Sequence, residues 1–408
     1  MDFYDYALNI ISQKLKDRNT LQKIINDIRK KSTDGLIAFY PCTRLTRVIL
    51  NRIKETDADL LSKILGCFDR SKEANTVKGI PVYEIKELNK FKNKISLLVV
   101  AATNKFFDEE LKDLKKFTNY DGNILKVSFF EISIQEELND EKILEKIKET
   151  YNLLADEKSK MTYLTTWLSR MLNDENLTYL FESEDATNTD GEIFKYKDFL
   201  VEGLNDAEKK ELHYEIYKMK YFIPEPNDIV FDIGAYVGDS SIFFSSYIGK
   251  KGKIYSFEPI KANFNLLLQN IELNNLKDVI IPINMGCADK SGFTGAISTK
   301  SGASWAFLSG NDGNERVELI SIDDFVDSND ISKLDLIKID AEGAEYNIIL
   351  GAKETIERFK PKMVICLYHN TSDLFSIPPL VNKLSDYKLY VRCKTEGAFS
   401  VNLYCVPR

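Results

Sequence analysis

The chain has 408 residues, 44% of them hydrophobic, with a formal net charge of −8; it can bury two or three ordinary cores without disulfide or metal staples. The negative balance argues against general nucleic-acid binding, which uses a basic face. No apolar run reaches the roughly 20 residues of a membrane-spanning helix, and the cysteines Cys42, Cys67, Cys287, Cys366, Cys393 and Cys405 form no CxxC pair of the kind that holds zinc.

Three zones follow one another. Residues 1–131 open with a polar, periodic helix over Tyr6–Lys31. A strand at Leu36–Tyr40, a helix at Leu45–Ile53, and strands near Ile64–Phe68, Ile80–Tyr83 and Ile95–Ala101 come next. Strands alternating with helices predict a small N-terminal α/β domain. Residues 132–221 are charged and helical in pattern and read as a helical bridge. Residues 222–408 carry strands at Ile229–Ile233, Lys253–Phe257, Val279–Ile283, Leu334–Ile339, Lys362–Tyr368, Lys388–Arg392 and Val401–Cys405, with amphipathic helices between most of them. That order predicts an α/β fold whose C-terminal part is a doubly wound, Rossmann-like sheet ending in an antiparallel hairpin. The first residues, Met1-Asp2-Phe3-Tyr4-Asp5, lack the basic start and apolar stretch of a secretory leader. A reducing, cytoplasmic location is therefore the expectation, and several cysteines sit in apolar runs as small buried hydrophobes.

Chemistry-bearing residues cluster in the third zone. Val230-Phe231-Asp232-Ile233-Gly234-Ala235-Tyr236-Val237-Gly238-Asp239-Ser240 is an apolar strand running into a Gly-x-x-x-Gly turn and then a helix. Glycines permit a tight turn and close approach of backbone to a ligand, and Asp232 at the strand end can receive a cationic amine. This is not the Gly-x-Gly-x-x-Gly turn that binds pyrophosphate; the acidic version suits a zwitterion such as S-adenosylmethionine. Glu258 ends the second strand, where a carboxylate accepts from both hydroxyls of a ribose. Asp289, after the third strand, lies over the same sheet edge and could accept from an adenine amino group, although Asp289-Lys290-Ser291-Gly292 is also ordinary turn chemistry.

Leu336-Ile337-Lys338-Ile339-Asp340 puts Lys338 and Asp340 on one strand face. Lys338 is costly to bury without a partner and is taken as a substrate contact. Asp340 sits where open sheets bind ligands, with Glu342 and Glu345 spaced to share one helix face. His369 is expected to end the fifth strand, with the titration of a neutral-pH general base. His369 and Asp340 are the two candidate bases. Glu342 joins them as a catalytic residue or, with Asp340, as an oxygen ligand should a metal acidify the acceptor; no resident metal is expected. Trp305, with Tyr236 and Phe307, is an aromatic candidate for stacking on an acceptor. Capping by acids at helix starts is the plainer account of several of these carboxylates.

Taken together, the ordered motifs resemble the FkbM family of methyltransferases. The residues that carry the likeness are Asp232–Ser240, Phe257-Glu258-Pro259, Ser321-Ile322-Asp323-Asp324-Phe325, Ile337–Glu345, and Tyr368-His369-Asn370 with Asp373-Leu374 and Ile377-Pro378. It covers about Phe222–Arg408. Ser240 stands where threonine is more usual, and both are hydroxyls. The resemblance implies S-adenosylmethionine as cofactor and methyl transfer to an oxygen, often of a sugar or secondary metabolite. It implies that Glu258 holds the ribose and that the loop Asp232, Gly234, Tyr236, Gly238, Asp239 and Ser240 holds the methionine part. The expected partner is a small-molecule or sugar acceptor, with no nucleic acid. A homo-oligomer through the N-terminal or helical region is a further expectation.

The first zone is similar to the nucleotide-binding-like domains that precede sugar-modifying enzymes, through its strand–turn–helix, Gly66-Cys67-Phe68-Asp69 and Lys78-Gly79-Ile80-Pro81-Val82-Tyr83. Where a glycine-rich turn belongs it has Tyr40-Pro41-Cys42-Thr43-Arg44, which blocks close approach of a pyrophosphate. Docking or sugar-nucleotide binding is the expected role there. Two rival readings of the whole chain are a non-catalytic nucleoside-binding or scaffold protein of glycan biosynthesis, and a nicotinamide-dependent sugar oxidoreductase. The intact acids weigh against the first and the missing glycines against the second.

Overall fold

The computed structural model describes residues 2–16, 20–33, 35–42, 44–70, 76–77, 79–102, 104–128, 142–172, 193–204, 217–219, 222–299, 306–308, 315–393 and 401–408. The chain divides into two compact units, residues 1–144 with 167–177, and residues 145–166 with 178–408.

The first unit holds strands β1 (Leu36–Tyr40), β2 (Ile64–Asp69), β3 (Thr76–Val77), β4 (Ile80–Glu84), β5 (Ile95–Ala102) and β6 (Ile124–Ser128) in one sheet, in the order β3-β4-β2-β1-β5-β6. All pairs but β3–β4 are parallel. Side chains alternate across a strand, so Ile37, Phe39, Leu97 and Val99 join one core and Ala38, Tyr40, Leu98 and Val100 another. Apolar stripes of the helices Thr20–Lys31 and Arg44–Thr56 cover the first face through Ile24, Ile28, Ile49 and Ile53. The single helix expected over Tyr6–Lys31 is two, Phe3–Lys16 and Thr20–Lys31. Asp69 ends β2, where a dinucleotide fold keeps its ribose acid, but its Oδ2 accepts the Cys42 amide at 3.0 Å. Arg70 beside it is paired with Glu110 at 3.0 Å and Asp113 at 2.6 Å.

The second unit is built on β9 (Ile229–Ile233), β10 (Lys253–Phe257), β11 (Ile280–Ile283), β16 (Leu336–Ile339), β17 (Lys362–Cys366), β18 (Tyr387–Cys393) and β19 (Val401–Pro407), ordered β11-β10-β9-β16-β17-β19-β18. The first five run parallel, and β19 pairs antiparallel with β17 and β18. The doubly wound sheet with its terminal antiparallel hairpin is the expected one. Continuous apolar strands suit a sheet buried on both faces. On one face Val230, Ile254, Leu336 and Val364 pack together. On the other, Phe231 meets Tyr255, Phe257 and Phe325 edge-on, with centroids 5.4 to 5.6 Å apart.

Two further stretches of the chain differ from the sequence reading. The stretch read as a helical bridge does contain the helices Ile143–Leu153 and Glu157–Leu172, but it also contains the antiparallel hairpin β7 (Ile193–Tyr196) and β8 (Phe199–Glu202). Asn270 and Asn274 on the helix Lys261–Leu273 hold that hairpin by bonding the backbones of Glu202 and Leu200. A second sheet, β12 (Gly286–Cys287), β13 (Phe293–Thr299), β14 (Ala306–Leu308) and β15 (Glu315–Ile320), in the order β12-β15-β13-β14, lies between β11 and β16 in the chain and was not foreseen. Among the described residues no helix is long and apolar enough to cross a membrane.

Candidate active site

β9 is flanked by β10 on one side and β16 on the other, so the crossovers leave it in opposite directions. The carboxyl ends beside such a switch point form the crevice where open α/β sheets bind ligands. The chain places Asp232 at the end of β9, Glu258 just past β10, Asp340 just past β16, and His369 three residues past β17.

Asp232 is fully buried, and its partners are internal. Ser240 and Ser241 donate to Oδ2 at 2.7 and 2.5 Å, and Lys338 Nζ lies 3.1 Å from Oδ1. The cationic amine that Asp232 receives is thus the chain's own. Lys338 also donates to the Gly234 carbonyl at 2.6 Å. At 2% exposure it supports the loop from beneath, and it does not face an acceptor as a substrate contact would. Burial opposes its charge, but Asp232, Asp340 and Asp239 outweigh this and hold it well above the ordinary lysine value.

The glycines serve this packing. Gly234 has φ +75°, and a Cβ there would stand 1.7 Å from the Asp340 carbonyl oxygen. Only glycine lets the ends of β9 and β16 meet this closely. Gly238, at φ +94°, faces Leu267 in the same way, with 2.6 Å to its Cδ1. The close approach expected of a ligand is made here by the protein itself.

Glu258 is 4% exposed. Its Oε2 accepts the Tyr236 amide at 2.9 Å, and its Oε1 accepts the Ile260 amide at 2.9 Å and Asn263 Nδ2 at 3.3 Å. Burial pushes its carboxyl up to about 7 against these donors. Asp239 opens the helix Asp239–Ile248, and burial lifts it to about 6 although Lys338 pulls the other way. Tyr236 stands in the left-handed region at φ +50°, which turns the chain so that its amide meets Glu258. Asp289 is exposed in the turn after β12. Trp305 lies outside the described residues.

On the other side of the switch, Asp340 accepts from Tyr217 Oη at 3.0 Å and from Tyr368 Oη at 2.9 Å. Burial would raise its carboxyl, but Lys338, His369 and the two tyrosines hold it below the usual range. Glu342 does not share a helix face with Glu345. It stands before the helix Glu345–Leu350 at φ +53°, followed by Gly343 at φ +97°. This left-handed pair breaks the helix and leaves the Glu342 side chain 30% exposed.

His369 is 7% exposed; its Nδ1 is 2.8 Å from Glu345 Oε1, and its Nε2 is 3.6 Å from both Asp340 Oδ1 and Glu342 Oε2. Burial lowers its basicity, but Glu345, Glu342 and Asp340 together push it up to about 10. Burial in turn pushes Glu342 up to about 8, against the pull of His369. Carboxylates so placed favour the protonated imidazole, which weighs against His369 as the base. It also lies beyond the strand, because β17 ends at Cys366.

The sequence reading did not single out Tyr217, Tyr368, Ser241 or Asn263. Ser241 and Tyr368 adjoin residues it did name. Asn263 was open to inference as a donor one helical turn past Glu258. Tyr217 carries no local signal, being 123 positions from the Asp340 it bonds.

Comparison with known proteins bears on this site. The curated hexuronic acid methyltransferase AglP of Haloferax volcanii is 24% identical over 133 residues, which is 33% of this chain and 53% of that protein. The match thus spans about half the length of that relative. The crystal structure of methyltransferase FkbM from Methylobacillus flagellatus KT superposes with a TM-score of 0.56 at 15% identity, covering 98% of both chains, so the fold is shared throughout. Residues 232–387 match the family described as the methyltransferase FkbM domain. The sheet ends that bring Asp232, Glu258, Asp340 and His369 together therefore lie within the segment that matches the methyltransferase FkbM domain.

Proposed function

We propose that this domain transfers the methyl group of S-adenosylmethionine to an oxygen of a sugar or glycan precursor. The observation that carries the reading is the acidic switch point: Asp232, Asp239, Glu258 and Asp340 surround the glycine turn, with Lys338 as the buried counter-ion of Asp232. A helix start filled by its own Asp239 repels a pyrophosphate and favours a ligand carrying positive charge. The donor set therefore fits a sulfonium amino acid joined to a nucleoside. Glu258 keeps lone pairs on both oxygens for ribose hydroxyls, the Asp232–Ser240 loop receives the methionine part, and Asp289 stands on the adenine side.

S-adenosylmethionine supplies an already activated methyl group, so the protein's task is to position the acceptor and manage one proton. Asp340 is the base we assign. It is part-exposed at the strand end, and Tyr217 and Tyr368 fix both of its oxygens. From there it accepts the proton of an acceptor hydroxyl as the new bond forms. His369 and Glu342 flank the same mouth. That a related protein is named for hexuronic acid supports a sugar acceptor.

The test is transfer of radiolabelled methyl from S-adenosylmethionine to hexuronic acids, nucleotide sugars and cell-surface glycans. Incorporation that is lost in Asp340→Asn is expected. Tight cofactor binding with no incorporation into any sugar would instead favour the scaffold reading.

A further inference from the structure

We propose that His369 Nε2, Asp340 and Glu342 form a divalent-cation site beside the sheet mouth, with Glu345 orienting the imidazole from its other nitrogen. One ligand atom from each of Asp340, Glu345 and His369 lies within 4.8 Å of the others. The donors are one imidazole and carboxylates, the mixture that suits Mn²⁺, Fe²⁺ or Zn²⁺ and serves Mg²⁺ less well. The sequence reading expected no resident metal and kept Asp340 and Glu342 as oxygen ligands for an assisting one; it did not include His369 or Glu345.

The geometry divides the roles. Glu345 Oε1 holds His369 Nδ1 at 2.8 Å and also accepts the Ala341 amide at 2.8 Å. A carboxylate on one ring nitrogen is the usual device that orients the other nitrogen toward a metal. That other nitrogen, Nε2, faces Asp340 Oδ1 and Glu342 Oε2, each at 3.6 Å. This is too long for a hydrogen bond. It is close to the spacing of two ligand atoms that share one ion at bond lengths of about 2.0–2.2 Å. Asp340 is fixed by its two tyrosines, whereas Glu342, on a left-handed backbone and 30% exposed, is free to swing toward the ion.

A second observation points the same way. Glu345 is 0% exposed, and its Oε2 is buried without a hydrogen-bond partner. An unmatched carboxylate oxygen in such a place is costly, and a cation in the cluster offsets that cost. An ion held this way would present its remaining positions to water or to acceptor oxygens at the mouth.

The probe is Mn²⁺ added to the full chain, followed by loss of the free-ion electron paramagnetic resonance signal. One saturable ion per chain is expected, with affinity reduced at least tenfold in His369→Ala and in Asp340→Asn and unchanged in Asp289→Asn. Because the core variants could fail to fold, pulsed resonance on the unaltered protein provides a second reading. The chain has only two histidines, His213 and His369, so an imidazole ¹⁴N coupling that persists in His213→Gln assigns the ligand. Absence of saturable binding, or bound Mn²⁺ without that coupling, would overturn the site. Neither result touches cofactor binding through Glu258, so failure here is distinguishable from failure of the methyltransferase reading.

Discussion

Lys338 Nζ lies 3.1 Å from Asp232 Oδ1, between side chains 2% and 0% exposed, and its ammonium also bonds the Gly234 carbonyl. One ion pair therefore ties β16 to β9 and fixes the loop on which the cofactor is proposed to lie. Removing one partner of such a pair leaves the other charged and buried, whereas removing both can be nearly neutral.

Asp232→Ala should therefore lower the stability of this unit by about 3–5 kcal/mol. The double variant Asp232→Ala with Lys338→Met should recover most of that loss. Urea unfolding midpoints would check it. A single variant as stable as the parent would mean that the pair does not hold the loop.

Glu258 gives a pH prediction. Burial pushes its carboxyl up to about 7 in the ligand-free protein, and only the ionised form accepts strongly from both ribose hydroxyls. Below that value each pH unit must first remove a proton, which costs about 1.4 kcal/mol per unit. Affinity for S-adenosylhomocysteine should fall up to tenfold between pH 7 and 6 and level off above about 8. In Glu258→Gln the affinity should be weaker and this slope absent. A flat profile in the parent would show that Glu258 does not accept from the ligand.

The proton-accepting role assigned to Asp340 predicts that Asp340→Asn lowers kcat by roughly 10²–10⁴-fold. Cofactor affinity should change little, because the proposed ribose and methionine contacts lie on β9 and β10. Single-turnover kinetics at saturating cofactor would measure it. An equal loss in affinity, with kcat intact, would make Asp340 a cofactor ligand instead.

The sequence located what local chemistry dictates and missed what distance creates. β9 and β10 were bounded at Ile229–Ile233 and Lys253–Phe257, as observed, because each is an apolar run closed by turn or acidic residues. β16 was drawn from Leu334 but starts at Leu336, since Asp335 turns aside to accept the Ile229 amide at 2.7 Å. The β12–β15 sheet escaped because Phe293–Thr299, Phe-Thr-Gly-Ala-Ile-Ser-Thr, has neither clean alternation nor a continuous apolar run. Lys338 was recognised as a lysine needing a partner, but nothing local says that the partner is Asp232, 106 positions earlier in the chain. Glu342 and Glu345 obey helical spacing on paper, and only the left-handed backbone at Glu342 and Gly343 shows that the helix starts later. His369 was read as a neutral-pH base, and the carboxylates that raise its basicity could not be foreseen locally, because they come from another strand end and the helix after it.

The first unit should not bind NAD or NADP. Asp69 is occupied by the Cys42 amide, Arg70 by Glu110 and Asp113, and Pro41 lacks a donor. Titrating the full chain with NADH and NADPH while following nicotinamide fluorescence should give no saturable change. Saturation by either would restore the oxidoreductase reading.

The central claim is that the acidic switch point binds a nucleoside carrying a methionine-derived chain. Calorimetric titration of the full chain with S-adenosylhomocysteine tests it most directly. One site per chain is expected, weakened by roughly 2–4 kcal/mol in Glu258→Ala through loss of charge-assisted hydrogen bonds. No heat at high ligand concentration, or binding unaffected by Glu258→Ala in a folded protein, would contradict the account.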